Sequence, residues 1–242
     1  EAVAKGKVDE AIIAIYNGIV GAELSSINPI IEYQNLYIIG EVIMPIEQAL
    51  IVSNKNVRMG NITRVMSPPN AIGQCRKWLR KNLPEAEIVE VSSTAQAVKQ
   101  ISDSSESAIA SAYAAEKYSK YVLESRFQED VLHSHLLAIT NKKSKKPLGA
   151  DENQHITSLI VEIPNIRGSL YRILGILKEV NIGWLEVRPS KMFPPTKESP
   201  GNTLFWMDIE ENKETNREKI IKELEQETEH LRILGSYPSC SF

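Results

Sequence analysis

The sequence predicts an α/β protein in two parts, an alternating strand and helix domain followed by a βαββαβ module. Three observations predict it. Short apolar runs alternate with short helical patterns as far as Thr140. Asn141 to Asn153 then carries four lysines, a proline and a glycine without apolar period, which reads as a solvated tether. From Leu159 onward the period changes from 2 to 3.6 and back in the order of two strand-helix-strand units.

Residues Glu1 to Gly6 read as the last turn of a helix, so the chain is expected to open inside an element, with a preceding strand and helix missing. Ala11 to Ile15 is an apolar run suited to a buried strand, and Asn17-Gly18 is a turn signal. A short helix through Leu24, Ile27 and Ile31 is expected to be limited by Pro29. Leu36 to Val52 reads as extended segments around Pro45, and Ile62 to Met66 as a further strand. Ser67 is expected to cap a helix with Pro68 and Pro69 in its first turn and with Ala71, Cys75, Trp78 and Leu79 on one face. Ile88 to Val91 reads as a strand, and Ser93 with Gln96 reads as a capping box opening the next helix. Strands at 108–110, 121–123 and 132–140 and a helix at 113–118 complete this part, and the alternation implies a largely parallel sheet.

In the second part Leu159, Val161 and Ile163 alternate with polar residues until Pro164, which cannot donate a ladder hydrogen bond. Asn165 to Gly168 is a loop. Leu170, Ile173, Leu174, Leu177 and Val180 keep the spacing of one apolar helix face, which Asn181 and Gly183 end before a strand from Trp184. The prolines between Lys191 and Asn202 mark a hairpin loop leading to a strand at 203–210. A helix with Ile220, Ile221 and Leu224 inward and a strand at 231–236 close the module. A loop leading into a helix start suits a small anion, because the free N–H groups there attract a carboxylate.

Composition excludes several classes of function. The 28 basic and 31 acidic residues nearly balance, so neither a nucleic-acid footprint nor a polybasic membrane patch is expected. No stretch approaches the roughly 20 apolar residues of a membrane span. Cys75 and Cys240 lie far apart without metal-ligand spacing, so no disulfide framework and no metal site are expected. Without a secretory pattern the expected compartment is the cytoplasm.

Several motifs carry a resemblance. The segment Asn165 to Leu170 resembles the N-x-x-G-A-L turn of ACT regulatory domains, and Glu186-Val187-Arg188-Pro189 resembles the E-S-R-P strand end of the ACT domain of prephenate dehydratases. Further upstream, Ser92 to Val98 is similar to that family's S-T-x-A-A segment, Gly40 to Ile46 to its G-E-x-x-L-P-I stretch, and Gln74 to Leu79 to its Q-C-x-x-W-L helix. The resemblance implies a periplasmic-binding-protein-like, two-lobed α/β catalytic domain over residues 1–144, a linker over 145–154 and a ferredoxin-like ACT regulatory domain over 155–242. It also implies conversion of prephenate to phenylpyruvate, water and carbon dioxide without a cofactor, feedback control by L-phenylalanine, and a homodimer or homotetramer joined through ACT domains.

Prephenate is a dianion whose product is aromatic, so an enzyme need only hold two carboxylates and protonate the departing hydroxyl. On the resemblance, Thr94, Ser134 and Asn17 are the catalytic candidates, with Ser134 as donor to the leaving hydroxyl. Ser93 and His135 are candidates for substrate binding. Asn165, Gly168, Ser169, Leu170, Glu186, Val187, Arg188 and Pro189 are candidates for the effector. Where the family has P-I-E-N-S and T-R-F, this chain has Tyr16 and Gly18 around Asn17 and His135 after Ser134. These departures keep two alternatives open, a catalytically impaired sensor of aromatic amino acids and an enzyme that decarboxylates prephenate without losing its hydroxyl. A ferredoxin-like module of purely structural duty is a third.

Overall fold

The structure is a computed structural model that describes the chain except residues 19–20, 144–146, 148–154, 192–195, 197–200, 212–214 and 242, with only the backbone of 239–241. Apart from Pro147, the expected linker 145–154 lies outside the described residues, as does most of the expected hairpin loop after Lys191. By internal contacts the chain forms two compact units. Unit 1 holds Glu1–Ile15, Ala22–Ile43 and His135–Phe242, and unit 2 holds Tyr16–Gly21 and Met44–Ser134.

In unit 2 the strands are β4 (Ala49–Val52), β5 (Arg64–Ser67), β6 (Glu87–Glu90), β7 (Glu106–Ala110) and β8 (Tyr121–Ser125). The helices are α2 (Pro69–Gln74), α3 (Arg76–Asn82), α4 (Thr94–Gln100) and α5 (Ala112–Lys117). The sheet order is β6-β5-β7-β4-β8. Alternation along each strand feeds two cores. Leu50, Val52, Val65 and Ile109 meet Ile72, Cys75 and Leu79, while Ala49, Ile51, Met66 and Ala108 meet Ala97, Val98 and Ala115. Each large side chain so buried contributes about 1.5–3 kcal/mol.

The expected largely parallel sheet is only half so. β5 runs parallel to β6 and β7, but β4 is antiparallel to both β7 and β8. A strand buried on both faces has an apolar run that reads alike in either direction, so its pattern does not encode orientation. Ser67 caps no helix either. Its hydroxyl is buried and donates to the Ile109 carbonyl at 2.8 Å, and Pro68 takes the N-cap position.

Unit 1 is built on the sheet β11-β12-β10-β13-β3-β9-β1-β2. Its strands are β1 (Glu10–Asn17), β2 (Gly21–Ala22), β3 (Tyr37–Ile46), β9 (Leu132–Thr140), β10 (His155–Pro164), β11 (Asn181–Pro189), β12 (Asn202–Glu211) and β13 (His230–Ser241), and the chain passes between units within β1, β3 and β9. β10 to β13 pair antiparallel in the order β11-β12-β10-β13, with α6 (Ser169–Ile176) and α7 (Arg217–Glu227) between them in sequence. This is the expected βαββαβ arrangement. Leu159, Val161, Ile163, Phe205, Met207 and Ile209 pack under Ile173, Leu177, Ile220 and Leu224 of the helices. β13 then pairs parallel to β3, so the sheet continues past the module.

Local departures have plain causes. Helix α1 (Leu24–Glu32) runs through Pro29, held by buried Ile27 and Ile30 and by the Tyr33 N–H donating to Pro29 at 2.9 Å. Leu170 and Leu174 share the apolar spacing of α6 but are 37% and 39% exposed, because the core takes only Ile173 and Leu177. β11 starts at Asn181 rather than Trp184, and Gly183 sits in an irregularity where a Cβ would meet Glu210 Oε1 at 2.8 Å.

Candidate catalytic and effector sites

The catalytic candidates all fall in unit 2. Asn17 ends β1, and next to it the Gly18 N–H donates to the His133 carbonyl at 2.9 Å. A Cβ at Gly18 would lie 2.8 Å from Leu132 Cβ, so glycine lets the two backbones approach. That approach brings Asn17 and Ser134 together, with Asn17 Nδ2 donating to Ser134 Oγ at 3.5 Å and both residues half-buried. The amide and the hydroxyl singled out in the sequence, 117 residues apart, thus form one pair.

Thr94 belongs to another element. It is the first residue of α4, half-buried, and α4 packs on β7 and β5. Parallel β5, β6 and β7 all run to the edge where α2, α4 and α5 begin, which places Thr94 at the carboxyl ends of strands. Ser93 is the N-cap, its oxygen accepting from the Gln96 N–H at 3.1 Å. Only this half of the capping box forms, because Ser92 donates to the Gln96 side chain.

His135 follows Ser134, and consecutive strand side chains point to opposite faces. In unit 1 its Nδ1 lies 3.0 Å from Glu41 Oε1, and its ring is 6.4 Å from Trp184. The two line a hollow of about 340 Å³ with Asp208 and Glu210. Asp208 is 5% exposed and accepts from the Trp206 indole at 2.9 Å and from Ser158, whose oxygen also lies 2.6 Å from the Tyr237 hydroxyl. Burial pushes the Asp208 carboxyl up to about 6 against the pull of those hydrogen bonds, and Glu41 pushes the same way. Burial also raises Tyr237 well above the usual phenol range.

The effector candidates fall into two groups. The Ile166 N–H donates to the Pro164 carbonyl at 2.8 Å, and Gly168 then opens α6 with φ +86°, a left-handed conformation that suits glycine. Asn165, Gly168, buried Ser169 and Leu170 therefore surround a helix start. On β11, Val187 stands opposite Phe205 on the helix-covered face of the sheet, whereas Glu186 and Arg188, an ion pair, stand opposite Trp206 and Leu204 on the other face. Pro189 ends the strand.

Sequence reasoning missed Glu41, Asp208 and Arg232. The Arg232 guanidinium is buried and donates to the carbonyls of Ile30 at 3.1 Å, Ile31 at 3.4 Å, Tyr33 at 3.0 Å and Leu36 at 2.6 Å, closing the end of α1 from β13. Burial holds its pKa below the usual arginine range. The signal was a lone charge inside an apolar strand, which demands an enclosed partner.

Comparison with known proteins bears on this arrangement. A family model described as prephenate dehydratase matches residues 1–133, more than half of the chain. The chain belongs to the prephenate dehydratase family. A bifunctional chorismate mutase/prephenate dehydratase of Aquifex aeolicus is 31% identical over 96% of the chain, which spans 62% of that relative's length. The prephenate dehydratase of Methanocaldococcus jannaschii is 30% identical over 94% of the chain and 80% of its own length. Among solved structures, a prephenate dehydratase from Arthrobacter aurescens in complex with L-Phe superposes with a TM-score of 0.80 at 25% identity, covering 98% of this chain and 77% of that one.

Proposed function

We propose that the chain converts prephenate to phenylpyruvate, water and carbon dioxide in L-phenylalanine biosynthesis, as a cytoplasmic enzyme, with residues 1–144 as catalytic domain and 155–242 as an ACT regulatory domain. The observation that carries this reading is the Asn17–Ser134 pair, which joins two of the three catalytic candidates carried over from the family's pattern. In the proposed chemistry Ser134 donates to the departing ring hydroxyl and Asn17 holds Ser134 and a substrate carboxylate. Thr94 and Ser93 supply hydroxyl donors at the start of α4, while His135, on the opposite face of β9 from Ser134 and beside Glu41, takes no part. Because no new bond to the protein is needed, positioned donors suffice.

Effector control rests on the candidates around the start of α6. The helix start after Gly168 offers N–H groups to the carboxylate of L-phenylalanine. Around it Ile166, Tyr171, Leu174, Leu185 and Val187 are exposed, beside the edge strand β11. An apolar patch beside an open sheet edge favours a second copy of the chain, which supports a homodimer or homotetramer closed over the effector.

The test is a prephenate assay read as phenylpyruvate enolate absorbance in alkali. The wild type is expected to form phenylpyruvate, and Ser134→Ala to lower kcat by about a hundredfold or more. Carbon dioxide release without an aromatic product would select the decarboxylase reading. No turnover together with intact L-phenylalanine binding would select the sensor.

A further inference from the structure

Unit 2 holds a cluster of glutamines at the edge of its sheet where Thr94 stands. β4 begins with Ala49 opposite Ala110, the last residue of β7, and β7 runs parallel to β5. Gln48, one residue before Ala49, therefore lies at the carboxyl ends of β5 and β7, the edge from which α4 starts. Gln48 is 6% exposed. Its N–H donates to Gln128 Oε1 at 3.1 Å, its carbonyl accepts from the Arg126 N–H at 2.9 Å, and its Nε2 donates to Gln74 Oε1 at 2.7 Å. Arg126 adopts φ +55°, a left-handed conformation that side chains disfavour, and this strain is kept where its N–H reaches Gln48. The oxygen and nitrogen of a carboxamide point apart, so Gln74, whose Oε1 faces Gln48, turns Nε2 the other way. That Nε2 is buried without a hydrogen-bond partner among the described residues. Buried donors are normally satisfied, so this one, at an edge suited to ligands, marks a missing acceptor.

We propose, resting on the prephenate reading, that Gln48 is a positioning residue that fixes the Gln74 carboxamide so that its donor end meets a carboxylate of the substrate. Gln48 itself touches no substrate. A glutamine amide turns about a broad, two-fold terminal torsion, so an unconstrained Gln74 would present oxygen about as readily as nitrogen. Oxygen presented to an anion repels it. Gln48 removes the ambiguity by offering Gln74 an N–H, while Gln128 and Arg126 pin the Gln48 backbone. Asn17, Ser134 and Thr94 are neutral and His135 points to the other face, so the orientation of each neutral donor bears directly on how a dianion is held. A pair that served packing alone would need the hydrogen bond in either direction, whereas this role needs it in one.

The experiment reverses that direction in the full chain. In Gln48→Glu, assayed at about pH 8 where the carboxylate only accepts, Gln74 must turn Nε2 inward and present Oε1 to the substrate. KM for prephenate is expected to rise by about tenfold or more with kcat changed far less, the pattern of a lost binding contact. In a Gln74→Met background the same substitution is expected to add no further rise, which separates the hydrogen bond from repulsion by a new charge. Gln48→Met, of similar volume and without an amide, should raise KM severalfold, again only while Gln74 is present, and it carries the test if Gln48→Glu fails to fold. An unchanged KM in the folded Gln48 variants would overturn the proposal, and so would an equal rise in the Gln74→Met background. If the wild type forms no phenylpyruvate, the dehydratase reading falls, and the same comparisons, read as Kd for prephenate by calorimetry, support or overturn the role of Gln48 by the same criteria. A wild type that does not bind prephenate overturns both.

Discussion

Replacing Asp208 by asparagine isolates the cost of a carboxylate enclosed by Trp206, Ser158 and Tyr237. Its pKa moves from 3.8 to about 6, roughly two pH units, which is about 3 kcal/mol of preference for the neutral form in the folded state. Because the folded value is the higher one, the folded chain holds the proton more tightly than the unfolded chain. The contribution is fully present below about 3.8 and is lost as pH rises through about 6. The substituted amide would still accept from Ser158 and Trp206 and would carry no charge. Urea unfolding followed by tryptophan fluorescence at pH 4 to 8 should therefore show the wild type losing about 2.5 kcal/mol relative to Asp208→Asn across that window. Parallel stability curves for the two proteins would refute the argument that burial dominates at this carboxyl.

Three further outcomes follow from geometry. Gly235→Ala places a Cβ 2.0 Å from the Ile38 carbonyl oxygen, so β13 must move from β3, and a loss of about 3 kcal/mol is expected in the same urea assay. Arg232→Met strips four carbonyls at the end of α1 of their donor and should cost about 3–5 kcal/mol, with amide exchange at Tyr33 and Leu36 accelerating first. Gly168→Ala forces a side chain onto φ +86°, which should cost about 1–2 kcal/mol and weaken L-phenylalanine binding measured by calorimetry, whereas an unchanged affinity would count against the loop as effector site.

The elements legible in the sequence were those whose pattern is local. β9 has the bounds read from its apolar run, Pro164 ends β10 because it lacks a donor, and Gly168 opens α6 because its φ is positive. Strand direction was not legible for β4, whose four residues are all buried and carry no face. The short helix through Leu24, Ile27 and Ile31 was legible too, and it tolerates Pro29 because the burial of Ile27 and Ile30 outweighs one missing hydrogen bond. At the candidate site, Asn17 and Ser134 could be paired from motif resemblance, but the close approach that pairs them depends on Gly18 against Leu132, a contact between strands far apart in sequence. Arg232 lay hidden for the same reason. Its partners are carbonyls, which no sequence pattern displays.

The position of β13 bears on how the polypeptide can be made. It is the most C-terminal strand of the sequence, yet it lies inside the eight-stranded sheet with β10 on one side and β3 on the other. During translation the ribosome delivers this strand after both of its neighbours, which must wait with open edges. A nascent chain halted before His230 would expose two unpaired borders and an unsealed end of α1, a form prone to aggregate or to engage chaperones.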